Sequence, residues 1–401
     1  MPYFIGLVVP KEALYVPYIM KARNFRSSAL MELPARIAAL QRYVELESPT
    51  GHGTALGTFT ARLNADFTAL GLTVTAEAHP TGDHLVCEWP ATAGREAEAP
   101  LMFLAHSDTV WNIGTISDMP WIHDASSDTV KGPGTFDMKG GIIALQSAIR
   151  LVSAAGASHR AVTVVITADE EIGSPTSRPL IESHARGAYA VLGLEPPHPD
   201  GALKTSRWGS TRLRIAVTGI EAHAALDAAA GVSAIDELVD QLVAVRAIVA
   251  NATGVLYNVG TITGGGRTNV VAGHAQADIG LRFISAGTES ALLERLMNLA
   301  PTRQGAVLSV EVISSRPAWQ PNERHSELLA RIDAAAATVG QSIQGRAARG
   351  AADTNFSGRL GIASIDGLGP IGSGAHAVTE QIRATSLAER AALIAGIISE
   401  I

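Results

Sequence analysis

The sequence predicts an α/β protein: a mostly parallel sheet with helices on both faces, and a second, smaller α+β unit inserted into it. Three observations carry this reading. Short apolar, β-branched runs alternate with amphipathic helical segments up to about Thr205, the pattern of a parallel sheet covered by helices. Between Leu213 and Ile313 that alternation gives way to a β-α-β-β-α-β order. A length of 401 residues also exceeds one ordinary domain, so two are expected.

The elements follow in order. From Ala29 to Leu46 the apolar residues Leu33, Ile37, Leu40 and Val44 recur at helical steps, with Pro34 suited to a first turn, and Ser48-Pro49-Thr50-Gly51 breaks the run. A second helix shows Leu56, Phe59, Leu63, Phe67 and Leu70 on one face and ends at Gly71. Strand-like runs follow at Leu72–Ala76, His84–Trp89 and Leu101–Ala105, with a charged surface loop, Thr92–Ala99, before the last. A helix over Asp137–Ala155, a buried strand at Val162–Thr167, a short helix and a strand at Ala190–Leu194 complete the first part.

The inserted unit reads as strand Leu213–Val217, helix Val232–Ala250, strands Leu256–Ile262 and Ala275–Phe283, helix Glu289–Leu299 and strand Val307–Ile313. Helical signal returns at Leu328–Val339 and in a final helix, Ser386–Ile398. The expected boundaries are an amino-terminal extension of unknown role over 1–28, a main domain over 29–205 and 321–401, and the insert over 206–320.

Composition narrows the function. An apolar fraction of 47% against 17% charged residues provides a sizeable core. A net charge of −7, without a Lys/Arg-rich run, argues against a nucleic-acid surface. Cys87 is the only cysteine, which excludes a disulfide framework and a cysteine-based zinc site. No apolar run is long enough to span a bilayer, and Ile5–Val9 is too short for a secretory core, so a cytoplasmic location is expected.

The chemistry gathers at strand ends. His106-Ser107-Asp108 follows the apolar run Leu101–Ala105, and Glu170-Glu171 follows Val162–Thr167. Glu195 ends the Ala190–Leu194 run, Asp137 sits in a Gly/Pro-rich loop entering a helix, and His376 lies in Gly374-Ala375-His376. Open α/β sheets place ligands at the carboxyl ends of their strands. Taken singly, His106 reads equally well as a satisfied core histidine, Asp137 as a helix cap and Glu195 as a surface acid. Their joint occurrence favours a metal centre, and a set of histidines and carboxylates without cysteine suits Zn²⁺, with Co²⁺ or Mn²⁺ as substitutes. Asp108, two residues beyond His106, is placed to accept the imidazole's second N–H.

In these motifs the sequence resembles the dizinc exopeptidases that include glutamate carboxypeptidase, acetylornithine deacetylase, succinyl-diaminopimelate desuccinylase and the aminoacylases. The resemblance runs from about Ala29 to Ile401. It rests on His106-Ser107-Asp108-Thr109-Val110, Asp137-Met138-Lys139-Gly140-Gly141, Thr167–Gly173, Glu195-Pro196, His376 and Gly350-Ala351-Ala352-Asp353, and is nearest to the glutamate carboxypeptidase branch. It implies a zinc exopeptidase-like fold with a ferredoxin-like lid and dimerisation domain, and hence a homodimer. It further implies two Zn²⁺ ions bridged by Asp137, one completed by His106 and Glu195, the other by Glu171 and His376. Glu170 would be the general base, assisted by Asp108, in hydrolysis of an amide bond.

The implied substrate is a small N-acyl amino acid or peptide-like conjugate. His223, in an altered Glu221-Ala222-His223-Ala224-Ala225 motif, together with Asn269 and Arg282, matches positions that contact it. The lysine that folate-cleaving relatives carry before the lid has no secure counterpart: Ala202 stands there, with Lys204 and Arg207 nearby. Three alternatives accompany the carboxypeptidase reading: an aminoacylase-type deacylase, a catalytically silent peptide-binding relative, and a purely structural dimerisation protein.

Overall fold

The computed structural model describes the chain from Glu12 to Ile401, with side chains from Phe25 onward. Residues 1–11, part of the expected extension, lie outside the described residues. Internal contacts divide the chain into two units. One holds the residues up to Thr205 with Asn322–Arg346 and Ile362–Ile401; the other holds Ser206–Pro321 with Ala347–Gly361.

The first unit is built on a six-stranded sheet. Across it lie Thr73–Glu77, His84–Trp89, Val162–Thr167, Leu101–His106, Ala190–Gly193 and Ser364–Ile365. Only His84–Trp89 runs against the others, being antiparallel to both neighbours, whereas Val162–Thr167, Leu101–His106, Ala190–Gly193 and Ser364–Ile365 pair in parallel. Every residue of Leu101–His106 and Val162–Thr167 is buried, so both faces of these central strands are covered. That is why they read as unbroken apolar runs rather than as alternation. Phe103, Val164, Ile166 and Leu192 join one core with Leu40, Phe59, Leu63, Phe67, Ile142, Leu145, Leu393 and Ile397 from the helices. Each such side chain contributes about 1.5–3 kcal/mol by leaving water.

The first helix departs from expectation. It runs continuously from Glu12 to Glu45, so Pro34 lies in its interior and not in its first turn. Phe25 and Ala29 are buried in the main core, and that packing outweighs the backbone hydrogen bond a mid-helix proline forgoes. The helix expected from Asp137 begins instead at Gly140, because Asp137 and Met138 have non-helical backbone angles. A small four-stranded sheet of Ile122–Asp124, Thr129–Lys131, Gly372–Ser373 and Gln381–Arg383 was not expected at all.

The second unit carries an antiparallel sheet in the order Val255–Gly264, His274–Phe283, Gly209–Thr218, Val307–Arg316. Burial alternates along Gly209–Thr218 and His274–Phe283, the signature of a sheet packed on one face. Leu213, Ile215, Val217, Ala277, Ile279 and Leu281 form that face, and the helices Ala234–Ala250 and Ala286–Met297 cover it with Leu238, Val245, Leu292 and Leu296. Among the described residues no helix is long and apolar enough to cross a membrane.

Gly141 shows how closely the first unit's parts approach. A Cβ there would stand 2.3 Å from the carbonyl oxygen of Leu194, so the amino end of helix Gly140–Ala154 is pressed against the backbone just before Glu195. Gly57, inside helix Gly53–Ala69, has no heavy atom within 4 Å of the same position. Gly141→Ala is therefore expected to destabilise the chain by about 1–3 kcal/mol through overpacking. Gly57→Ala is expected to stabilise it by roughly 0.5–1 kcal/mol by restricting the unfolded backbone. Urea unfolding of both variants checks this, and the reverse order would remove the close-approach argument.

Candidate metal centre

Parallel strands deliver their carboxyl ends to one edge of a sheet, and the candidate residues of the first unit meet there. His106 is the last residue of its strand, Glu170 and Glu171 form a short 3₁₀ turn shortly after Val162–Thr167, and Glu195 follows Ala190–Gly193. Asp137 projects from the irregular turn before helix Gly140–Ala154, and His376 from a loop where its own φ is +60°.

Asp137 occupies the middle. Its Oδ1 stands 3.1 Å from His106 Nε2, and its Oδ2 stands 3.4 Å from His376 Nε2. His106 Nε2 also faces Glu195 Oε1 at 3.5 Å, and His376 Nε2 faces Glu171 Oε2 at 3.2 Å. One carboxylate thus divides its two oxygens between two imidazoles, each of which meets a second carboxylate. Donor atoms of His106, Asp137 and Glu171 lie within 4.8 Å of one another, as do those of His106, Glu170 and Glu195. His106 is fully enclosed, whereas the His376 side chain is 52% exposed, which leaves that flank open to solvent.

The donor set passes a test of fit to metal. Two ligands each about 2.0–2.1 Å from a tetrahedral zinc ion stand roughly 3.3–3.4 Å apart, a separation that the four contacts above, at 3.1, 3.4, 3.5 and 3.2 Å, bracket. Glu171 Oε1 is buried without a hydrogen-bond partner, as a carboxylate oxygen is when its natural counter-group is a cation. His106, Asp137 and Glu195 can hold one ion, and Glu171, His376 and the other oxygen of Asp137 a second.

Electrostatics agree. Burial alone would raise the Asp137 pKa, yet the hydrogen bonds from His106 and His376 hold it well below the usual carboxylate range. Burial raises that of Glu171, the Asp137 charge adding to it against the pull of His376. Asp137 and Glu171 lift the His376 imidazole to about 11. Burial opposes a charge on His106, but Asp108, Asp137 and Glu195 outweigh it and push its pKa well up. The carboxylates thus favour positive charge at both imidazole positions, as they would favour a cation there.

Asp108 does more than expected. The group nearest His106 Nδ1 is the backbone carbonyl of Asp108 at 2.9 Å, whereas its carboxylate Oδ1 lies at 3.5 Å. The carbonyl fixes the tautomer that turns Nε2 toward Asp137. The carboxylate, besides facing His106 Nδ1, accepts the backbone N–H of Glu170 at 3.2 Å and of Glu171 at 3.1 Å, and the Thr50 hydroxyl at 2.8 Å. It aims the two glutamates. Asp169 anchors the same loop from the other side by accepting from the backbone N–H and hydroxyl of Thr176 and the hydroxyl of Ser177.

Two residues escaped the sequence reading. Lys139, 2% exposed, donates to the carbonyls of Tyr43 and Leu46 and lies over the Phe59 ring, tying the Asp137 turn to the end of the first helix. Glu380, wholly buried, accepts from the Trp111 indole and from three backbone N–H groups of the Asp137 turn. No local pattern marks Glu380, since its partners lie 243 to 269 residues away in sequence.

The remaining candidates belong to the second unit. His223 is exposed, and its Nδ1 accepts from the backbone N–H of Ala225 and Leu226. Asn269 is exposed, and its carbonyl accepts from Ala224 N–H. Arg282 is half-buried beside Ser210, with its pKa lowered by burial and by the neighbouring charge of Arg316. Asp353 pairs with Arg316 at 3.1 Å.

Comparison with known proteins adds the family. A model of peptidase family M20/M25/M40 matches residues 102–400. Carboxypeptidase G2 of Pseudomonas sp. (strain RS-16) is 28% identical over 360 residues, covering 87% of this chain and 85% of its own. A succinyl-diaminopimelate desuccinylase of Gluconacetobacter diazotrophicus is 28% identical over 369 residues, covering 84% and 88%. Among solved structures, an M20 family metallo-carboxypeptidase from Sulfolobus solfataricus superposes with a TM-score of 0.70 at 16% identity, covering 91% of this chain and 98% of that one. A tripeptidase from Staphylococcus aureus also gives 0.70, at 21% identity, covering 91% and 97%. At such identities the structures speak for the fold, the zinc exopeptidase fold with an inserted domain. With the family model spanning most of the chain, and with a histidine–carboxylate cluster at the carboxyl edge of its sheet, this protein belongs to peptidase family M20/M25/M40 and is a hydrolytic metallopeptidase or amidohydrolase.

Proposed function

We propose that the chain is a dinuclear zinc hydrolase that releases a C-terminal amino acid from an N-acyl or peptide-like substrate by cleaving the amide bond. The observation that carries this is the division of Asp137: Oδ1 toward His106 and Oδ2 toward His376, so that one carboxylate serves two cation positions. When bound, the two ions supply Lewis-acid activation of the attacking water and of the amide carbonyl.

The chain's own residues do the rest. Glu170 has a carboxylate oxygen within 4.8 Å of donor atoms of His106 and Glu195, and with Asp137 assigned as the bridging ligand it is left as the base. It takes the proton of the attacking water and hands it to the leaving nitrogen. Asp108 holds Glu170 and Glu171 by their backbone N–H groups, so base and ligand stay in register. In the second unit, the half-buried Arg282 offers a cation suited to the α-carboxylate of a substrate, with Asn269 and His223 as further contacts.

Carboxypeptidase G2 and the succinyl-diaminopimelate desuccinylase match equally well in identity, at 28% each, and their names point to different substrates. Glutamate is the first leaving amino acid to test. The aminoacylase-type reading is favoured by Ala202, which is small and buried where folate-cleaving relatives carry a lysine. A homodimer through the second unit is proposed from the exposed stripe Ile235, Val239 and Val243 on helix Ala234–Ala250; sedimentation velocity checks it.

The deciding experiment is hydrolysis of a panel of N-acyl amino acids, N-benzoyl glutamate among them, by zinc-loaded and chelated protein. Metal-dependent release of glutamate above other amino acids supports the carboxypeptidase reading. Preference for another amino acid moves the substrate to the aminoacylase reading, and no turnover with zinc bound speaks for a silent binder.

Glu170→Ala is expected to keep its metal and lose turnover by a factor of about 10²–10⁴. Asp137→Ala is expected to lose metal and activity together; two zinc equivalents in that variant would contradict the bridge. Because the carboxylates raise both imidazole pKa values, that of His376 to about 11, zinc must compete with protons for these ligands. Zinc affinity should therefore rise with pH, by about tenfold per unit for each proton displaced, and binding should release protons measurable by calorimetry in two buffers. A pH-independent affinity between pH 6 and 8 would contradict this.

A further inference from the structure

We infer that Glu380 is the positioning residue of the metal centre, the group that holds the Asp137 turn in register with the His376 loop. The inference rests on reading the cluster as a metal centre. Glu380 is 0% exposed and belongs to neither donor group, so it acts through other residues. Its Oε1 accepts from Phe136 N–H at 2.8 Å and Asp137 N–H at 3.1 Å; its Oε2 accepts from Gly134 N–H at 2.9 Å and the Trp111 indole N–H at 2.8 Å. All four partners are donors. Only an ionised carboxylate can satisfy them together, because an amide or a neutral acid would turn a hydrogen toward a hydrogen.

The placement makes this a link between segments. On its own chain, Glu380 is separated from His376 by tight turns: Glu380 N–H donates to Ala377 O at 2.9 Å, and Ala377 N–H to Gly374 O at 2.9 Å. Gly374 has φ +82°, and a Cβ there would stand 2.9 Å from Glu380 N, so the turn closes only on glycine. Directly after Glu380, Gln381–Arg383 pairs with Thr129–Lys131, a second tie to the chain leading into the Asp137 turn. Trp111 follows the His106–Asp108 segment by three residues. One buried carboxylate is thereby the common reference for the segments bearing His106, Asp137 and His376. Asp137 must present its two oxygens to two imidazoles, so a small rotation of its turn misaligns both positions at once.

The test measures zinc affinity by chelator competition on the metal-free full chain, without substrate. Glu380→Gln keeps size but sets an amide hydrogen against a donor, and Glu380→Asp keeps the charge but shortens the reach. Both are expected to bind zinc about 10–100-fold more weakly, with turnover partly restored by excess zinc. Trp111→Phe, which removes one donor and leaves the carboxylate, is expected to fall between these variants and the parent, and it decides the matter if the Glu380 variants do not fold. Leu63→Ala, a buried truncation in helix Gly53–Ala69, serves as the control for stability loss alone. Parent-like zinc affinity in Glu380→Gln overturns the inference, as does an equal loss in Leu63→Ala. Retained affinity in Glu380→Asp alone would assign the effect to charge and overturn the positioning role. Failure of the parent chain to bind zinc would sink the metal-centre reading itself, an outcome separate from all of these.

Discussion

Four carboxylates converge on two imidazoles at one edge of a sheet, and keeping that much like charge together is the constraint on which the first unit depends. Asp137, Glu170, Glu171 and Glu195 would repel one another out of register if each were held only by its own side-chain rotamer. The fold answers with acceptors that hold the backbone N–H groups of the turns bearing these acids. Asp108 grips the Glu170–Glu171 turn, Asp169 grips the far side of the same loop, and Glu380 grips the turn that carries Asp137. Each of these is itself a buried acid satisfied by N–H or O–H groups, so the acids that face the centre are aimed by acids that do not. Lys139 supplies a nearby cation, and burial lowers its pKa to about 7 against the opposing pull of Glu380 and Glu47.

The sheet makes the convergence geometrically inexpensive. Three neighbouring parallel strands end at one edge, so His106, the Glu170–Glu171 turn and Glu195 reach a common place without any of them leaving its local conformation far behind. Asp137 is the exception, standing on backbone that is neither helix nor strand, and it is the residue with the most external support. The second unit follows different rules. Its antiparallel sheet buries one face under two helices and leaves alternate residues outside, where Arg282 is found.

Much of this was legible in the sequence because it is local. Unbroken β-branched runs reported strands buried on both faces, and the three- and four-residue spacing of Leu56, Phe59, Leu63 and Phe67 reported a helix with one buried face. Four of the ligand candidates, His106, Glu170, Glu171 and Glu195, were visible at the ends of apolar runs, and Asp137 and His376 in glycine-rich loops. What stayed hidden depends on partners far away in the chain. Nothing near Glu380 says that it will meet Gly134, 246 residues earlier, and nothing near Asp108 says that its carboxylate will serve the glutamates while its carbonyl serves His106. The passage of the first helix through Pro34 was hidden for a related reason. Proline punctuates a local pattern, while the burial of Phe25 and Ala29 that overrides it is tertiary. Two- and three-residue strands such as Gly372–Ser373 and Thr129–Lys131 carry too little pattern to be read at all.

The order of the ligand candidates along the chain has a consequence for biosynthesis. His106 and His376 bracket the set, and a whole second unit is translated between Glu195 and His376. A zinc finger draws its ligands from one short stretch, so its metal can template folding. Here the partners of Asp137 become neighbours only after distant segments have docked, a slow class of contact. On the metal-centre reading proposed above, the scaffold has to be in place before the ligand set exists, so metal would act on the activity of the folded chain more than on its folding.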